Sequence, residues 1–293
     1  MATDVRDPYY DRGRRPGLAA RVILYAVLGA GAVMFVLPFL YMASTSLKTA
    51  AEAVTRTSPF PLSPDFWPSV PHWLNYAEAW ARASFSLYLR NSLVTALVTA
   101  AATLATSSLA AYAFARIRFV GSRVVFSALL ATLIIPEGVY LVPNFILITR
   151  AGWYDTLAGL TVPFAANAFS IFLLRQFFTQ VPAELTDSAR VDGAGHLRTL
   201  FSIVLPLSTA PVATLVFLSF LGSWNSLQWP LVATRTPRWR PITVALTTFT
   251  SDAGPQNQLI MAGAMIAIIP VVALYAAAQK RFTEAIARTG IKG

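Results

Sequence analysis

Six apolar runs leave this chain few ways to fold: Val22–Thr45, Asn91–Phe114, Val124–Leu147, Leu157–Phe177, Phe201–Leu221 and Leu259–Ala278. Each holds about 20 residues or a little more, enough as a helix to cover a hydrocarbon layer of about 30 Å. Helices buried in a soluble bundle are normally shorter and keep a polar face. The composition agrees: 56% of the residues are hydrophobic and 12% are charged, about half the charged share of a soluble domain. The expected fold class is all-α, an integral multi-pass membrane protein with six transmembrane helices. A basic lead at 1–21 precedes one transmembrane domain at 22–293.

The basic residues set an orientation. With the N-terminus inside, 15 of the 23 Lys and Arg fall in inner stretches, among them Arg14, Arg15, Arg116, Arg123, Arg190 and Lys280. The other eight, including Lys48, Arg56 and Arg150, fall outside. The excess places both termini in the cytoplasm. The first apolar run is too long for a cleavable signal, and "PFLYMASTSLKT" offers no convincing cleavage site. A net charge of +10 raises the question of nucleic acid. These charges sit at membrane boundaries, however, where anionic lipid headgroups account for them. With no cysteine there is neither a disulfide framework nor a thiolate metal site.

Between the fourth and fifth runs lies a compact polar piece, "VPAELTDSARVDGAGHLRTLFSIVLPL", residues 181–207. Pro182 suits the first turn of a helix, and Glu184 and Asp187 sit near its positive end. Arg190 can pair with Asp187 at i,i+3, and Gly193 supplies a left-handed stop. A second short helix can begin at Ala194 and run into the fifth span, with Pro206 inside it. The result is a short helix lying across one membrane face and tied to two spans. Such a piece transmits force or docks a partner; a solvated connector with a charged face is the plainer alternative.

This piece resembles the EAA loop of ATP-binding-cassette importer permeases, roughly E-L-x-E-A-A-x-x-D-G-A followed by I-x-L-P. Glu184, Leu185, Ala189, Asp192, Gly193, Ala194, Ile203, Leu205 and Pro206 match, while Asp187 and Ser188 replace the usual Glu-Ala. "NSLVTALVTAAATLATSSLAAYAFARIRFVG" resembles the second-helix signature of the carbohydrate branch, and "IFLLRQFF" and "WNSLQWPL" are similar to that branch as well. The tail "ARTGIKG" is similar in part to the ending of the subunit type represented by the smaller maltose-transporter permease.

The resemblance implies the type I importer fold and a sugar (oligosaccharide, disaccharide or amino sugar) as cargo, with glycerol-3-phosphate or another polyol as the alternative. It implies four kinds of neighbour: a second, different permease subunit, two ATPase subunits, an extracytoplasmic solute-binding protein and the lipids of the cell membrane. ATP and Mg would be bound by the ATPase subunits, leaving this chain without a cofactor. Glu184, Leu185, Asp187, Ala189, Arg190, Asp192, Gly193 and Ala194 would couple to the ATPase. Gly290, Ile291, Lys292 and Gly293 would reach it as a tail, unless the terminus is simply frayed. Residues 248–258, with Ser251, Asp252 and Asn257, would form a scoop that enters the binding protein.

Glu137 is a carboxylate deep in the third run, with Tyr140 and Asn144 following at helical spacing. An intramembrane acid faces water, protein or solute, so it either lines the solute path or pairs with the partner permease. Catalysis has no support in the chain. There is no G-x-S-x-G, H-E-x-x-H or G-x-x-x-x-G-K-[ST], and the two histidines, His72 and His196, fall in loops on opposite sides. A secondary transporter would show a run of intramembrane charges, and Glu137 is the lone candidate.

Overall fold

The computed structural model describes residues 17–82, 84–251 and 254–289, and most of them are helical. α1 (Leu18–Ser46) leads to the short α2 (Ala50–Thr55) and α3 (Leu74–Arg82), then to the 32-residue α4 (Phe85–Arg116). α5 (Ser122–Ala131) runs through a 3₁₀ turn to Ile134, and a second such turn at Glu137–Tyr140 enters α6 (Leu141–Arg150). α7 (Leu157–Thr161) precedes α8 (Ala168–Phe178). α9 (Ala183–Val191), α10 (His196–Thr199), a wider π turn and α11 (Leu205–Leu207) follow, then α12 (Thr209–Asn225). The short α13 (Gln228–Ala233) and α14 (Ile242–Thr247) lead to a hairpin in which Thr250–Ser251 pairs antiparallel with Gly254–Pro255. α15 (Asn257–Thr289) closes the described chain.

Among the described residues, Leu18–Ser46, Phe85–Arg116 and Asn257–Ala277 are each long and apolar enough to cross a membrane. Three bent pairs raise that number to as many as six if each pair is one span. The bends depart from the continuous helices expected at 124–147 and 201–221. Residues 122–134 and 137–150 meet at 100° because Pro136 lacks a donor and pushes Ile135 into extended backbone. Residues 196–207 and 209–225 meet at 89°. Pro206 cannot donate to the preceding turn, which widens at 200–204, and the helix restarts after Ser208. The straight part of the fifth span therefore begins at Thr209, and the stretch before it turns aside. The last helix runs on past Lys280, and its backbone stays helical to Thr289.

α4 is the central element, packed against α12 and α8 and also against α3, α7 and α14. Its buried face carries Asn91, Thr95, Thr99, Thr103 and Ser107 at every fourth position, with Ala96, Ala100 and Ala111 among them. Small residues let helix backbones approach closely where lipid offers no hydrophobic drive. α1 packs chiefly on α15, and Phe35, Met34 and Val33 stay exposed. So large an apolar surface fits lipid better than water.

Candidate functional site

The first part of the polar piece forms α9, a helix with an unambiguous inside and outside. Thr186 and Ala189, three residues apart, are buried, while Glu184, Leu185, Asp187, Ser188, Arg190 and Asp192 are exposed. Val191 is 88% exposed. Glu184 lies in the first turn and Arg190 in the last, which suits the helix dipole at both ends. The expected Asp187–Arg190 pair is present at 3.8 Å; at this exposure it is worth little.

The stop after α9 follows a definite pattern. Gly193 adopts φ +79°, its N–H donates to Arg190 O at 3.0 Å, and the Ala194 N–H donates to Ala189 O at 2.8 Å. These two bonds form the paired closure of a Schellman motif, with glycine at the left-handed position.

Both ends of α9 are anchored in one apolar cluster. Val181 before it and Leu200 and Val204 after it join Tyr112, Leu174, Phe178 and Leu215. Arg116, at the end of α4, donates to Phe178 O at 2.7 Å and also to Val181 O, holding the turn that enters α9. Arg175 donates to Phe114 O at 3.3 Å, and its guanidinium lies 4.3 Å from the Phe126 ring. On the exit side, His196 Nδ1 lies 3.3 Å from the Tyr112 hydroxyl. α9 is thus an exposed helix on a stiff mount, able to carry a displacement into α4, α8 and α12.

Glu137 is exposed and makes no hydrogen bond or ion pair among the described residues. It shares a 3₁₀ turn with Tyr140, in which positions i and i+3 eclipse. Tyr140 donates to Thr132 O at 3.3 Å across the break, and Asn144 stands in the first turns of α6.

The family described as binding-protein-dependent transport system inner membrane component matches residues 102–288, which include α9 and its mount. The chain belongs to this family. Over 280 residues it is 33% identical to the sn-glycerol-3-phosphate transport system permease protein of Agrobacterium fabrum, covering 92% of this chain and 97% of that one. Over 263 residues it is 29% identical to the lactose transport system permease protein of Rhizobium radiobacter, covering 90% and 93%. The crystal structure of a bacterial ABC transporter involved in importing the acidic polysaccharide alginate holds a chain that aligns with TM-score 0.78 and 25% identity, covering 94% of this chain and all of that one. The molecule is accordingly a non-catalytic permease subunit of an ABC transporter, with the type I importer fold, and a multi-pass component of the inner membrane.

At the far end of α1 the permease carries a cap rich in proline and tryptophan, which includes the short helix α3 from Leu74. Its centre is Lys48, fully buried, whose ammonium donates to Arg56 O at 2.6 Å and Asp65 O at 2.9 Å. Burial, and then the Arg56 charge, push the Lys48 pKa down, with Glu52 and Asp65 opposing. Glu52 closes a capping box on Thr49 and pairs with Arg56 at 3.2 Å. A hydrogen bond from the Ser69 side chain and another from the Thr49 N–H hold the Glu52 carboxyl down to about 2, against desolvation.

A second tie was not read from the sequence. Asp155, at φ +57°, accepts from the Arg235 N–H at 3.0 Å and the Thr236 hydroxyl at 2.7 Å. Desolvation raises its pKa, but the Thr236 and Arg235 hydrogen bonds outweigh it and leave the carboxyl below its ordinary value. An Asp three residues after a turn glycine is the signal that would have found it. Of the residues assigned to the scoop, Ser251 lies in the hairpin and Asn257 opens α15. Asp252, like Gly290, Ile291, Lys292 and Gly293, lies outside the described residues.

Proposed function

We propose that this permease moves a sugar inward across the cell membrane, driven by ATPase subunits that grip α9. The exposed helix on its stiff mount is the observation that carries the reading. A solvated connector would need neither the Schellman closure nor the Arg116 bridge. ATP binding closes the ATPase pair, α9 moves as a lever, and α4, α8 and α12 tilt to open the path outward; hydrolysis resets them. A second, different permease supplies the other half of the path, and an extracytoplasmic binding protein delivers the solute. Both termini are cytoplasmic and each bent pair counts as one span, giving six. The hairpin at 250–255 reaches toward the binding protein as a scoop. Glu137, Tyr140 and Asn144 line the path at the break in the third span, and the tail at 290–293 contacts the ATPase.

Relatives that handle lactose and the fold neighbour that imports alginate favour a glycan as cargo. The glycerol-3-phosphate relative at 33% identity sustains a phosphorylated polyol as the second reading. The test uses proteoliposomes holding both permeases and both ATPases, with the binding protein and radiolabelled solutes. ATP-dependent accumulation of a neutral sugar is expected. Uptake driven by an ion gradient without ATP contradicts the reading.

A further inference from the structure

On the outer cap, between α3 and the start of α15, lies a cavity of about 290 Å³ that no part of the coupling mechanism uses. That is close to the lower end of small-molecule sites, about 300 Å³. Asn75 forms a rigid part of its wall: its amide donates to Ser46 O and Lys48 O, both at 2.8 Å, and its oxygen meets His72 Nδ1 at 3.1 Å. At the rim Arg82 pairs with Glu78 at 2.5 Å and donates to Gln256 Oε1 at 3.2 Å. The Thr49 hydroxyl in the wall is taken up by Glu52, whereas Gln258, only 7% exposed, has no hydrogen-bond partner among the described residues. That amide is open to the cavity and not sealed in the core, so its donor and acceptor are available to whatever enters. It is satisfied once a ligand offers both a donor and an acceptor.

We propose that this cavity binds a neutral, polyhydroxylated solute. Amides present donors and acceptors together, which matches hydroxyl groups. Arg82, the one lysine or arginine among the described residues that line the cavity, is already paired with Glu78, so a phosphate or carboxylate meets an acid beside it. Gln256 also ties the cavity to the hairpin, since its N–H donates to Phe249 O at 3.0 Å across the hairpin's base. Filling the cavity therefore bears on the hairpin's position. The inference rests on the sugar reading above and narrows it to uncharged glycans.

The complete complex of both permeases and both ATPases, in nanodiscs and without binding protein, is titrated by saturation-transfer NMR. The probes are lactose, maltose and glycerol-3-phosphate. At least one neutral disaccharide should bind, and Gln258→Leu should weaken it about tenfold, the loss of one well-made hydrogen bond. Glu78→Gln should keep that binding and let glycerol-3-phosphate bind as well. No binding of either disaccharide to the unmodified complex overturns the proposal, as does equal binding to Gln258→Leu or preference for glycerol-3-phosphate. If both variants change only the affinity for the binding protein, the cavity belongs to that protein and the proposal also fails. ATP-driven uptake by the unmodified complex is scored separately, so import can stand where this cavity fails.

Discussion

Gly193 concentrates the coupling argument in one residue. A side chain there meets open space, with nothing within 4 Å, so any penalty comes from the backbone at φ +79° alone. Gly193→Val should cost about 1–2 kcal/mol, leave the complex assembled, and lower both uptake and ATPase stimulation by the loaded binding protein. Gly193→Asn, which tolerates the left-handed region, should retain more of both. Gly159 is limited by contact instead: an added Cβ would run into the Trp153 carbonyl oxygen. Glu52 gives a pH signature. Its folded pKa of about 2 lies below the ordinary 4.5, so its contribution is present above about pH 4.5 and is lost as pH falls toward 2. The melting temperature of the cap, followed by tryptophan emission, should fall over that window in the parent. Glu52→Gln should flatten that dependence.

At the scale of elements, α9 and its stop were legible because each signal was local: acids early, Arg190 late, glycine at the turn. The mount was not, because Arg116 lies 62 residues from the Phe178 carbonyl it holds. A basic residue at a helix end reads equally well as a headgroup anchor. The bends escaped for a different reason. Pro136 and Pro206 were visible, but a proline in an apolar run is compatible with a mild kink as well as a break. Which one forms depends on neighbouring helices that re-satisfy the freed carbonyls. Arg116→Ala leaves two carbonyls short of a donor, a cost of about 1–3 kcal/mol. It should reduce coupling while Arg116→Lys restores part of it, as read from uptake per ATP hydrolysed. In the third span, Glu137→Ala should change apparent affinity or rate of uptake. Unchanged values of both would remove Glu137 from the path.

For the whole molecule, the absence of cysteine makes topology and docking directly addressable. A single cysteine at Val120, fully exposed beside α5, should be protected from an impermeant thiol reagent added outside cells. One at Trp153, in the turn after α6, should react. The reverse pattern would invert the orientation. The central claim is that α9 is where ATPase motion enters the membrane. Its most direct test is crosslinking by a short thiol reagent from Val191→Cys in the complete complex, with Ala189→Cys on the buried face as the control. The account predicts a Val191→Cys product with an ATPase subunit that abolishes uptake and is released by reduction, and none from Ala189→Cys. A Val191→Cys complex that forms no ATPase product, or that is crosslinked and still imports at the full rate, would contradict it.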